Sequence, residues 1–403
     1  MKEKGNYIRF AGLYNFTYMS IGALLPFIGQ YLKTLGFSGA EIGAVTAAGT
    51  AVAIFASAFW GRIYSRSRKN HDILILLCSM AAIICIILSQ LKTYSLFIVI
   101  FGCMYFFQAP VMSLTDAFTV ERMHRFGTLR AWGAVGFAAG TFLAGLISDI
   151  LNLSVIFVFY VLSYAAAAVI ILTLRRNNSV REDKANKADK EEAKSLGYAG
   201  ILKDRHIRQL ILCAFFMGGT NVANNTYFSF LYIEGGGTIA GVGAVMLLMV
   251  GSEVPFMAVC ERLAARFTMQ RIILTAMVIS SARFILYGIG LPWWILVLMS
   301  FTQGAVNGIL LIEFVRYVSI LAPEGSKSIA ISAYYIIGSN LSTIICQLFG
   351  GMILDRAGAS GVYMFFGLFN LAGVILYIKF KLYKNQNMRL KMKNKTKKDE
   401  KSR

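Results

Sequence analysis

Asp72-Ile-Leu-Ile-Leu-Leu-Cys78-Ser-Met-Ala-Ala-Ile-Ile-Cys85-Ile-Ile-Leu-Ser-Gln-Leu91 carries one charge, on its first residue. Coiled as a helix, a run of about 20 residues is ~30 Å long, which matches the hydrocarbon thickness of a bilayer. A helix on a soluble core would show a polar stripe every three or four residues, and this one does not. The same pattern recurs on both sides of it, at 8–31, 41–61, 95–118, 128–149 and 154–174, then at 208–232, 239–260, 271–290, 293–315, 327–354 and 360–380. With 72–91 these make twelve spans, so the chain is expected to be an all-α, multi-pass membrane protein. Charged residues are 15% of the 403 positions, against roughly a quarter in soluble proteins, and they gather between the apolar runs.

The distribution of those charges gives an orientation. Short loops on the side of the termini carry Arg62, Arg66, Arg68 and Lys69, then Arg122 and Arg125, then Arg262, Arg266 and Arg271, then Arg316 and Lys327; the opposite loops carry Lys33, Lys92 and Arg356. Eleven cations against three place both termini in the cytoplasm and the protein in the cell membrane. Much of the net charge of +20 lies in segments 175–208 and 379–403, which fall on that same side. A basic tail beside a span is a topology signal and a surface for anionic lipids, not for nucleic acid. The six cysteines (Cys78, Cys85, Cys103, Cys213, Cys260, Cys346) lie in or at the ends of apolar runs with no C-x-x-C pair. Neither a disulfide framework nor a metal site is expected. The first apolar run ends in no small-residue cleavage site and is expected to be a span, not a removable leader.

The chain divides in two. Residues 175–207 are the one long polar interruption, and their core, 180–194, is mixed charge without aromatics, a composition that stays solvated. They separate an N-terminal six-span unit, 1–174, from a C-terminal one, 208–381, followed by a basic tail, 382–403. Phe10-x-Gly12-x-x-Asn15 recurs as Phe216-x-Gly218-x-x-Asn221, and Gly145-x-x-x-Asp149 as Gly351-x-x-x-Asp355, both at an offset of 206 residues. Gly43-Ala44-Val45 returns as Gly243-Ala244-Val245 at a slightly different offset. Two pseudo-symmetric six-helix bundles, acting as one monomer with a solute held between them, are the expected result.

Ionisable side chains within hydrocarbon are costly and face a partner or a cavity. Asp116 and Arg130, on adjacent spans joined by a tight loop, are expected to pair. Glu253 and Arg283, or either with Glu313, form the second candidate group. Burial makes a carboxylate hold its proton and a nearby guanidinium loosens it, so separating such a pair loads or releases a proton. The plainer alternative is a fixed ion pair that sets helix register, and for Glu313 a local pair with Arg316, three residues on. Asn15, Gln108, Asn221, Asn224, Asn225, Gln303 and Asn307 are candidate ligands for hydroxyls or amides. Trp132 is a candidate stacking surface, as are Tyr14, Tyr18, Tyr105, Tyr227 and Tyr334. No nucleotide-binding loop is present and the three histidines lie in loops, so no cofactor is expected and the drive comes from an ion or solute gradient.

These features resemble the major facilitator superfamily, and in particular its phenylpropionic-acid permease-like group, related to oligosaccharide/proton and nucleoside/proton symporters. The likeness is carried by Pro110-Val-Met-Ser-Leu-Thr-Asp116-Ala, by Phe126-Gly127-Thr-Leu-Arg130-Ala-Trp132-Gly133-Ala-Val-Gly136-Phe137, and by Glu253, Arg283 and Leu291-Pro292-Trp293. It implies proton symport directed inward. The superfamily's gating loop is represented by Gly61, Arg62, Arg66 and Arg68, with Ser65 where an Asp is usual. The fifth span lacks the Gly-Pro dipeptide of drug/proton antiporters. In lactose-permease-like relatives an acid and an Arg on the fourth and fifth spans bind sugar, positions occupied here by Asp116 and Arg130; the histidine of their tenth span has no counterpart. The expected function is therefore proton-coupled symport of a sugar, nucleoside or aromatic acid. Proton-coupled efflux of amphipathic compounds and a non-transporting membrane sensor are the alternatives, and no reaction chemistry is indicated.

Overall fold

The computed structural model describes residues 2–67, 69–123, 126–175, 198–323 and 326–384, and these form helices without a strand. The first half comprises α1 (Lys2–Leu24), α2 (Ile28–Thr34), α3 (Gly39–Arg66), α4 (Asn70–Ser89), α5 (Tyr94–Val120), α6 (Phe126–Ile150) and α7 (Val155–Arg175). The second comprises α8 (Tyr198–Lys203), α9 (Arg205–Glu234), α10 (Ile239–Phe267), α11 (Met269–Tyr287), α12 (Trp293–Leu321), α13 (Lys327–Ala333), a π-helical stretch Tyr334–Leu341, and α14 (Ser342–Lys379). Eight of the described helices are long and apolar enough to cross a membrane. Their outward faces carry large apolar side chains, among them Val99, Leu162 and Val169, an exposure that water would penalise and lipid favours.

Local chemistry sets the boundaries. The first expected span, 8–31, is two helices, because residues 25–27 turn at Pro26, where no backbone N–H is available. At the start of α3 the Ser38 hydroxyl accepts from Glu41 N (3.2 Å) while the Glu41 carboxylate accepts from Ser38 N (2.8 Å), a reciprocal cap. Asp204 caps α9 by accepting from the amides of His206 and Ile207. Within α14 the helix breaks at Gly358, whose φ of 65° is reached readily only without a side chain. Within the polar interruption expected over 175–207, α8 docks through Ile201, which is 1% exposed. Its core, 180–194, and the tail from residue 385 lie outside the described residues. The first turn of the tail, Leu382–Lys384, packs as well, with Tyr317 donating to the Leu382 carbonyl (3.1 Å).

In the first half, α1 packs on α6 and α7, and α3 and α4 pack on α5; in the second, α9 and α11 pack on α14, and α10 and α11 on α12. The halves meet most extensively through α3 with α14 and α6 with α10. The glycines of the internal repeat sit at these crossings. A Cβ on Gly43 would meet Gly351 Cα at 3.1 Å, and one on Gly145 would meet Gly243 Cα at 3.3 Å. Only small residues allow backbones that close. Hydrogen bonds between the halves lie at this same end, from Gln30 to Ser229 (3.5 Å) and from Thr50 to Gln347 (3.1 Å). Towards the opposite end, which carries Lys2 and Lys379, Gly61 on α3 and Gly127 on α6 meet nothing within 4 Å of an added Cβ. The close glycine contacts and the hydrogen bonds between the halves thus gather at one end.

Candidate solute and proton site

Three elements bring a charged cluster together in the first half. Asp116, near the end of α5, accepts a hydrogen bond from the Tyr14 hydroxyl of α1 (2.7 Å) and pairs with Arg130 of α6 (3.5 Å). Tyr14 is fully buried, whereas the Arg130 side chain is 53% exposed and that of Asp116 22%. The ion pair therefore opens to one side while its phenolic partner is locked. The small residues of α6 make this possible: Gly136 and Gly140 lie against the backbone of Asn15 and Met19, and Gly133 against the Tyr18 ring. Tyr18 stands 6.3 Å from the Tyr14 ring, and Trp132 Nε1 donates to the Tyr7 hydroxyl (3.4 Å). The expected Asp116–Arg130 pair is present, with Tyr14, expected as a stacking surface, as a third member that donates a hydrogen bond.

The second half arranges its charges differently. Glu253 of α10 accepts from Asn307 Nδ2 of α12 at 3.0 Å. It does not meet Arg283, which is 2% exposed and lies over the rings of Phe284 (4.6 Å) and Tyr287 (5.8 Å). The expected Glu253–Arg283 pair is thus absent, because α11 turns Arg283 towards α14 and its aromatic residues. Glu313 is fully buried and pairs with Arg316 at 3.6 Å, the local alternative. Of the candidate ligands, Gln108 is spent in packing, its amide oxygen accepting from Tyr160 (2.7 Å), and Asn224 likewise accepts from Tyr363 (2.6 Å). Asn221 donates to the Met217 carbonyl of its own helix (3.1 Å), and Gln303 is buried. Asn15 and Asn225 are half-buried. Asn307 is the one of this set that touches a candidate proton carrier.

The joined end carries groups that no motif singled out by role. The Asp355 carboxylate of α14 accepts from Gly39 N (2.5 Å) and Ala40 N (2.9 Å), so a residue of one half caps the first turn of α3 in the other. Glu234 accepts from Ala359 N (2.7 Å) and Ser360 Oγ (3.2 Å), capping the helix that restarts after Gly358. Negative charge at these N-termini is favourable to the orphan amides and the helix dipole. A cavity of about 420 Å³ lies here, lined by Lys33, Gln30, Phe230, Glu234 and Asp355 among others. The repeat Gly351-x-x-x-Asp355 was the available sequence signal for the cap. Of the gating-loop residues, Arg62 and Arg66 are exposed, Gly61 is unencumbered and Arg68 lies outside the described residues. The Ser65 hydroxyl donates to the Arg62 carbonyl (3.0 Å), closing on its own helix.

An all-helical membrane protein whose halves meet through α3–α14 and α6–α10, with an ion pair set between α5 and α6, has the build of a solute transporter. The chain belongs to the MFS_1 like family, whose sequence model matches residues 7–365, and so to the major facilitator superfamily of transporters, not enzymes. It is 31% identical to a maltose permease of Geobacillus stearothermophilus over 370 residues, covering 91% of this chain and 92% of that one. It is 24% identical to a probable 3-phenylpropionic acid transporter of Escherichia coli strain K12, covering 91% and 96%. The solved nucleoside transporter NupG shares the fold at a TM-score of 0.80 and 17% identity, covering 94% of this chain and 99% of its own. A D-xylose-proton symporter shares it at 0.72 and 13% identity, covering 93% and 97%.

Proposed function

We propose that this transporter is a proton-coupled symporter that brings a small polar solute, a sugar of disaccharide size foremost, into the cell. The observation that carries the reading is the pair of charged clusters, Tyr14–Asp116–Arg130 in one half and Glu253–Asn307 in the other. Each holds a carboxylate beside hydrogen-bonding groups, which is what both a protonation switch and a hydroxyl-rich ligand require. Full-length similarity to a maltose permease supports a sugar over a nucleoside or an aromatic acid. The twelve-span arrangement follows if α1 with α2, α9, α10 and the two parts of the path broken at Gly358 each cross once, with both termini in the cytoplasm. The end with the close glycine contacts then faces outward, and the conformation is the one that releases solute. The 1–174 and 208–381 bundles rock about the α3–α14 and α6–α10 crossings, as a monomer, with the basic tail against anionic lipid.

The test is uptake into proteoliposomes with an imposed inward proton gradient, screened over maltose, sucrose, nucleosides and aromatic acids. Saturable accumulation of a sugar that vanishes when the gradient is collapsed is expected. Accumulation indifferent to the gradient would sink the coupling. Glu253→Gln is expected to lose accumulation while keeping exchange of preloaded solute; normal accumulation in that variant would move proton carriage elsewhere.

A further inference from the structure

Arg283 presents a different problem from the other membrane charges. At 2% exposure it is removed from solvent, and its Nε, Nη1 and Nη2 have no hydrogen-bond partner among the described residues. No described carboxylate forms an ion pair with it. A guanidinium cannot shed its proton to escape this, and a buried charge without a counter-charge is strongly unfavourable. The ring faces of Phe284 and Tyr287 offset part of that cost. A water molecule would satisfy donors but carries no charge.

The surroundings share the same bias. Tyr287 is fully buried with an unpartnered hydroxyl, and Asn224 Nδ2 is buried without an acceptor. Tyr363 links the group: its hydroxyl is committed to the Asn224 amide oxygen (2.6 Å), and its ring stands 5.4 Å from Tyr287 and 5.6 Å from Phe284. Helices α9, α11 and α14 thus gather a cation and two unspent donors into one aromatic-walled cluster, with its strongest acceptor already used.

We propose that Arg283, with Tyr287 and Asn224, forms a buried anion site that holds one halide-sized monovalent inorganic anion, chloride under ordinary conditions. Full burial and close ring packing leave out organic anions. The anion supplies the counter-charge and ties α11 to α9 and α14. This assignment is independent of the symport reading, and it gives Arg283 a partner other than Glu253.

The experiment uses the full chain, purified in detergent in sodium gluconate. The thermal unfolding midpoint is followed as chloride, bromide or acetate replaces gluconate at constant ionic strength. In parallel, halide released on denaturation is counted after exhaustive exchange into gluconate. Either a saturable rise with chloride and bromide but not acetate, or about one retained halide per chain, is expected in the unsubstituted protein. Arg283→Met is expected to lose both, and Tyr287→Phe to raise the half-saturating halide concentration about tenfold. No halide response together with no retained halide would overturn the proposal. So would an equal response to every anion, or a halide response unchanged in Arg283→Met. Should Arg283→Met fail to fold, an unchanged half-saturation in both Tyr287→Phe and Asn224→Leu has the same consequence.

Discussion

Asp116 is held by a phenol and a guanidinium at once, and the two holds differ in kind. The buried Tyr14 hydroxyl fixes the carboxylate's direction at 2.7 Å, while the half-exposed Arg130 at 3.5 Å is free to leave. Tyr14→Phe should therefore lower gradient-driven uptake about tenfold at normal membrane levels, the worth of one hydrogen bond to a charged group; undiminished uptake would show the phenol to be mere packing. Part of this site was legible in the sequence. Asp116 and Arg130 announce themselves because a charge in an apolar run needs a partner, and a tight loop sets theirs side by side. Glu313 and Arg316 do so by helical spacing alone. Tyr14 and Gln108 were legible as candidates for stacking and for hydroxyl binding but not in the roles they take, since an aromatic or an amide in a span takes its role from the helix it faces. Gln108 faces Tyr160, and so is spent on packing.

Helix positions were the most readable level, because a lone apolar run long enough to cross hydrocarbon has few other folds open to it. What hydropathy does not register is backbone direction: the Pro26 turn, the π-helical stretch Tyr334–Leu341 and the break at Gly358 all lie inside apolar runs. Neither does it register caps between distant elements, such as Asp355 on the first turn of α3, 316 residues away for Gly39. Loss of a cap costs about 1 kcal/mol, so Asp355→Ala should shift the end-to-end equilibrium roughly fivefold towards the parted outer end. Gly351→Leu should do more, because its side chain would meet the Gly39 carbonyl and Gly43. Spin labels at positions 33 and 233, which line the cavity at this end from opposite halves, would report it as longer distances by pulsed resonance. Distances unchanged from the parent would mean that the glycine seam does not govern closure.

For the molecule as a whole, the charge bias of the loops predicts that a protease-cleavable tag after Arg403 is cut only in inside-out vesicles; cleavage in intact cells would reverse the assigned orientation. The duplicated motifs were visible as a shared offset, yet an offset says only that two segments correspond, not that they touch. In the folded chain Gly43 meets Gly351 and Gly145 meets Gly243. The partners exchange roles between the two contacts, since Gly43 corresponds to Gly243 and Gly145 to Gly351. A contact in which site a of one unit binds site b of the other, and b binds a in return, is isologous, the signature of a two-fold dimer. The seam thus has the form that a pair of separate, identical six-helix chains would make. In such a pair each glycine would serve both contacts; in this chain one half carries Asp116 and Arg130 and the other Glu253 and Arg283.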